Sequence, residues 1–134
     1  MMKNLFLLFV VSSILIAACT TNAITGRSQL SLVSESTLQL EATKQYDSVL
    51  SKNTVESNTK NKDAEMVKRV GKRIAAAITK YYADKGLSSE LAGYKWEFNL
   101  IDSKEVNAWC MPGGKVAVYS GLLPVTQNEN ALAI

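Results

Sequence analysis

Apolar positions change their spacing several times along the chain, and each change marks an element. Residues 5–18 are apolar apart from Ser12 and Ser13 and show no periodicity. From Leu38 the spacing is helical. Leu38, Ala42, Tyr46 and Val49 or Leu50 recur every three or four residues, which predicts a helix over 35–50 with Ser34 as N-cap. Residues 51–62 carry a single apolar side chain, Val55, and read as an exposed loop. A second stripe of Met66, Val70, Ile74, Ile78 and Tyr81 or Tyr82 predicts a helix over 63–84, with Gly86 as its stop. The period then becomes two. Tyr94, Trp96, Phe98 and Leu100 share one face while Lys95, Glu97 and Asn99 share the other, as in a half-buried strand. A hairpin follows, with Val106–Cys110 and Lys115–Ser120 around Met111-Pro112-Gly113-Gly114. Pro second and Gly third suit a type II turn. After a break at Gly121–Pro124, Asn128 or a neighbour caps a helix start, with Glu129 favourable in the first turn. The four apolar residues that follow cannot make a stable helix alone, so the sequence reads as cut inside a buried helix. The expected class is α+β: two amphipathic helices packed on a small antiparallel sheet or hairpin.

Composition narrows the chemistry. The chain has 134 residues, enough for one small domain, with 15 Lys+Arg, 12 Asp+Glu and no histidine. Lack of histidine excludes Ser-His-Asp and Cys-His units and an HExxH zinc site within these residues. A net charge of +3 without a basic, aromatic-interleaved stripe gives no argument for nucleic acid. Lys68, Lys72, Arg73 and Lys80 read as the solvated face of the second helix, balanced by Asp63, Glu65 and Asp84. Cys110, within Ala108-Trp109-Cys110-Met111, is expected to be a buried structural cysteine, because no base is available to activate it.

Lys3 followed by the apolar run and small residues describes a secretory signal peptide, too short to span a bilayer, which takes roughly 20 apolar residues. Its end, Ile16-Ala17-Ala18-Cys19, resembles the bacterial lipoprotein box. That resemblance implies cleavage before Cys19, a diacylglycerol on its sulfur and an acylated amino group, and multiple chains anchor stably. The division is then 1–18 signal peptide, 19–33 lipidated tether and 34–134 domain. By resemblance to enterobacterial lipoprotein sorting, Thr20 rather than aspartate after the cysteine implies an outer-membrane lipoprotein facing the periplasm where the cell has two membranes.

Three further stretches resemble the zinc metalloendopeptidases of the CAAX-prenyl-protease and HtpX type (gluzincins), in their bacterial lipoprotein branch. Thr25-Gly26-Arg27-Ser28-Gln29-Leu30-Ser31-Leu32-Val33-Ser34-Glu35 is similar to that branch's TGR-x-QL segment. Val67-Lys68-Arg69-Val70-Gly71-Lys72-Arg73-Ile74 is similar to its V-x-x-x-G-x-x-L/I helix. The run from Asn107 to Leu123 resembles its NAF-x-x-PGG-x-V-x-V-x-x-GLL hairpin. Glu129–Ile134 resembles the start of the active-site helix, so HExxH would be expected about four residues past Ile134. The resemblance implies zinc in the full-length family member. It transfers no catalytic residue and no metal ligand to this chain, which is expected to bind no catalytic zinc.

What the resemblance does transfer is substrate positioning. The strand Lys115-Val116-Ala117-Val118-Tyr119 resembles the family's substrate-cleft strand, which would pair with an extended peptide or misfolded protein, or else it fills the sheet, since edge and centre are not distinguished by sequence. Asn107 either organises the cleft or satisfies a turn. Two functions follow. One is the N-terminal part of a membrane-anchored zinc metalloendopeptidase in envelope protein quality control, inactive as this chain alone. The alternative is a non-catalytic lipoprotein serving as a binding or assembly module.

Overall fold

The computed structural model describes residues 19–56 and 61–134; the signal peptide assigned to 1–18 lies outside the described residues. The described residues fall into two units, one ending at Ser34 and the other beginning at Glu35. In the first, β1 (Cys19–Thr21) and β2 (Ser28–Leu30) pair antiparallel. Asn22 builds the turn between them. Its side-chain oxygen accepts from the backbone N–H of Ile24 (3.0 Å) and Thr25 (2.8 Å) and from the Thr25 hydroxyl (3.0 Å), the local bonding that makes Asn a turn residue. The stretch expected to be a plain tether therefore carries a small hairpin.

The second unit begins with α1 (Glu35–Lys52) and α2 (Lys62–Asp84). Asn61 caps α2 by accepting from the N–H groups of Asp63 (2.9 Å) and Ala64 (3.2 Å), and Asp63 and Glu65 suit the positive end of the helix dipole. The helix closes as expected at Gly86, whose N–H donates to Ala83 O (2.9 Å) while Leu87 N–H donates to Tyr82 O (2.8 Å). A short 3-10 turn (Ser88–Leu91) leads to β3 (Glu97–Ile101), β4 (Ala108–Met111) and β5 (Lys115–Tyr119). Another 3-10 turn (Ser120–Leu122) precedes α3 (Leu123–Thr126) and α4 (Glu129–Leu132).

The α+β class holds, and the hairpin is antiparallel as read. The sheet order is β3-β5-β4, and β3 pairs with β5 in parallel, from Glu97 opposite Lys115 to Ile101 opposite Tyr119. The sheet is therefore mixed. Side-chain alternation reports which face a residue occupies and carries no information on strand direction.

Helices cover both faces. On one, Tyr46 of α1 packs with Ile101 and Ala117, joined by Val49, Leu50, Trp109 and Met111. On the other, Ala64 and Val67 of α2 pack with Leu100 and Val118, joined by Phe98, Leu122, Leu123 and Leu132. β3 is thus covered on both sides at its end rather than half-buried throughout, with Leu100 2% and Ile101 0% exposed. The expected loop at 51–62 is also partly used. Val55 bridges to Ile101, Glu56 N–H donates to Leu100 O (2.9 Å) and Asp102 N–H donates to Thr54 O (2.8 Å).

The stripe of α2 is rotated from the expected one. Ala64, Val67, Gly71 and Ala75 are buried alongside Val70, while Ile74 is exposed. Small residues face the sheet because an aromatic ring fills the gap: a Cβ on Gly71 would collide with the Phe98 ring. At the hairpin turn Gly113 and Gly114 both have positive φ (83° and 82°). Their carbonyls accept from Lys95 N–H and Glu97 N–H, each at 2.9 Å. A Cβ on Gly114 would lie 2.7 Å from Trp96 Cε3, so the Pro-Gly-Gly turn is tailored to the approach of β3.

Candidate functional site

The strand expected to meet a peptide is the middle one. β5 (Lys115, Val116, Ala117, Val118, Tyr119) is hydrogen-bonded to β3 on one side and β4 on the other. Its backbone is consumed by the sheet, so it offers no edge for strand addition. Beneath α1 it carries a polar chain. Lys115, 7% exposed, donates to Glu97 Oε2 (2.9 Å). Asn99 Nδ2 donates to Glu97 Oε1 (3.1 Å) and to the Tyr46 hydroxyl (3.0 Å), and Tyr46 donates to Val116 O (2.8 Å). Burial pushes the Tyr46 phenol up to about 12, against the opposing hydrogen bond from Asn99. The phenol is neutral at physiological pH and its role here is to join α1 to the sheet.

The open edge belongs to β4. Among the described residues no strand pairs with its outer side. Tyr119 N–H donates to Asn107 O at 3.0 Å, which makes Asn107–Tyr119 a hydrogen-bonded pair. By antiparallel alternation Trp109 and Met111 also bond inward to β5, and the N–H and C=O of Ala108 and Cys110 point outward. Asn107 itself starts the ladder. Its side chain donates to Glu105 Oε1 (3.0 Å), so its partner is the preceding turn and not a cleft.

Side chains along β4 alternate between the two faces. Trp109 meets Tyr46 edge-on, with ring centroids 5.6 Å apart. Cys110 faces the α2 side, where it lines an apolar groove of about 260 Å³ together with Val70, Ile74, Phe98, Val116 and Leu132. The expected buried cysteine is instead a free, exposed one. Its neighbours on β4's outer side are missing because the strand is an edge, and adjacency alone does not reveal that. Desolvation against the groove pushes the thiol up, which keeps it protonated and weakly nucleophilic.

α4 begins as the sequence indicates. Asn128 caps it by accepting from Ala131 N–H (3.0 Å), and Glu129 in the first turn meets Arg69 of α2.

No donor set for a metal is assembled. The chain has no histidine, and among the described residues no group of three or more His, Cys, Asp or Glu could hold an ion. Zinc centres take their ligands from those side chains, so the residues present do not fit one.

A family model described as Peptidase family M48 matches residues 61–134, more than half of the chain. The chain belongs to peptidase family M48. The match takes in α2, the whole sheet and α4. M48 relatives include the mitochondrial metalloendopeptidase OMA1 of Schizosaccharomyces pombe, 39% identical over 67 residues, which are 50% of this chain and 17% of that protein. The protein of the same name from Saccharomyces cerevisiae is 34% identical over 55 residues, 39% of this chain and 16% of that protein. The one from Arabidopsis thaliana is 44% identical over 46 residues, 34% of this chain and 10% of that protein. The chain thus spans less than a fifth of the length of these relatives. No solved structure matches it.

These relatives correct one expectation. They are mitochondrial proteins by name, so placement in an outer membrane facing the periplasm is withdrawn. That placement rested on Thr20 and a sorting rule that presupposes a bacterial envelope.

Proposed function

We propose that this chain is the N-terminal part of a membrane-anchored zinc metalloendopeptidase of family M48, and that β4 receives the substrate as an added extended strand. The observation that carries the substrate role is the free edge at Ala108 and Cys110, whose N–H and C=O groups face away from β5. An extended peptide laid there makes main-chain hydrogen bonds irrespective of its sequence, and its alternate side chains fall on the two faces of the sheet. Such a site takes extended segments whose backbone groups are not already paired. The segment Thr25–Glu35 and the Asn107–Leu123 hairpin support the CAAX-prenyl-protease and HtpX subtype and its lipoprotein branch, with Cys19 as the acylated anchor.

Among the described residues no group of His, Cys, Asp or Glu could hold the ion, and their part in hydrolysis is to position the substrate. β4 would hold the substrate backbone straight beside the groove that Cys110 shares with Leu132 of α4.

The test uses the product of the complete gene and a quenched fluorescent peptide. Hydrolysis should be abolished by a chelator and restored by zinc. Cys110→Pro removes an outward N–H while sparing the ladder to β5, a position where an edge strand tolerates proline. It should lower kcat/KM by about two- to tenfold, the worth of one hydrogen bond. Unchanged kcat/KM in that variant would reject β4 as the substrate strand. Peptide binding without any zinc-dependent hydrolysis would leave the binding-module function in place of the peptidase.

A further inference from the structure

α4 (Glu129–Leu132) lies against α2. It follows Gln127, whose φ of 62° places a side-chain-bearing residue in the left-handed region, a conformation that survives only where its surroundings over-determine it. Two contacts hold the segment down. Leu132 packs on the core beside α2. At the other end, Arg69 donates through Nε (3.1 Å) and Nη2 to Glu129 Oε1, and Arg73 Nη1 lies 3.7 Å from Glu129 Oε2.

Exposed ion pairs commonly contribute little, yet three features set this one apart. It joins residues sixty apart in sequence. Two guanidinia one helical turn apart share a single carboxylate. The carboxylate also sits in the first turn of α4, where negative charge is favoured. The hydrogen bond from Arg69 holds the Glu129 carboxyl below its usual range.

We propose that Glu129, gripped by Arg69 and Arg73, is a positioning residue that fixes α4 on α2 against the strain at Gln127. If the peptidase function above is right, the clamp sets where the metal-bearing helix starts relative to β4; the clamp itself does not depend on that function.

Hydrogen exchange of the full chain, read at the Ala131, Leu132 and Ala133 amides, tests it. Glu129→Gln and Arg69→Ala should each speed exchange there by about two- to fivefold, the population change a single ion-pair network supports, with other amides unchanged. Arg69→Lys keeps the charge and should restore part of the protection. Added salt should speed exchange in the wild type and not in Glu129→Gln, because only the former has an ion pair to screen. Adding Gln127→Gly to Glu129→Gln should slow exchange again by relieving the strain. Equal exchange in wild type and Glu129→Gln, or the same salt response in both, overturns the clamp. The measurement needs neither metal nor substrate, so its failure and a failure of the peptidase function are separate results.

Discussion

Replacing Gly71 by alanine sets two opposite effects against each other. In an unobstructed helix interior the change stabilises by about 0.5–1 kcal/mol, because glycine loses more backbone freedom on folding. Here the new Cβ would sit 2.6 Å from Phe98 Cε1 and closer still to Cγ and Cδ1, whereas carbon atoms in contact rest at about 3.5–4.0 Å. The ring has to retreat by roughly 1.3–1.8 Å. It is not a free end, since it stacks on Trp96 with centroids 6.3 Å apart and planes 7° apart, and Trp96 in turn abuts Gly114. The apolar groove beside Phe98 gives it some room, so the penalty falls within the about 1–3 kcal/mol typical of overpacking. Gly71→Ala should therefore destabilise by about 1–2 kcal/mol net. Urea unfolding followed by the fluorescence of Trp96 and Trp109 measures this directly. In a Phe98→Ala background the obstruction is gone and the same substitution should stabilise by about 0.5–1 kcal/mol. A Gly71→Ala protein at least as stable as wild type, or an effect of equal sign in both backgrounds, would refute the close-approach account.

Tyr46→Phe deletes the hydroxyl that ties α1 to Val116 and Asn99 and should cost about 1–2 kcal/mol in urea unfolding. Since the folded phenol titrates at about 12 and an unfolded one near pH ~10, its contribution is fully present below pH ~10 and is lost as pH rises from there to about 12. The phenylalanine variant should lose that part of the alkaline decline, and an identical decline in both proteins would contradict the assignment. Cys19→Ala should move the protein from the membrane fraction to the soluble one and abolish incorporation of radiolabelled lipid; retained labelling would disprove acylation at this cysteine.

Local signals in this sequence were reliable guides to local structure. The helical spacing around Tyr46, the stop at Gly86, the Pro-Gly-Gly turn and the Asn128 cap each depend on neighbours in sequence, and each lies where expected. What escaped depends on distant partners. Period-two alternation assigns Lys115–Tyr119 to a strand but does not tell that β3 closes its second edge, so the open edge shifted to Ala108–Met111. Glu97 and Asn99 read as the outer row of a half-buried strand because nothing nearby announces that Asn99 meets Tyr46 and Glu97 meets Lys115. The register of α2 was misjudged by a rotation because large apolar residues mark a stripe more loudly than Ala64, Gly71 and Ala75, and those small residues are where the sheet comes closest. Cys110 gave no sign of exposure for the same reason: its apolar neighbours describe the strand, not its place in the sheet.

The parallel pairing of β3 with β5 has a consequence for synthesis. The central strand is the last of the three to be made, so neither outer strand has its permanent partner until residues 115–119 have left the ribosome. Tyr46 waits for Val116, seventy residues downstream. Until then both helices carry apolar faces with nothing to cover them, and loop-closure entropy must be met before the long-range contacts repay it. A nascent chain of this unit therefore keeps apolar helix faces uncovered over most of its synthesis, and its cooperative folding begins only when the hairpin arrives.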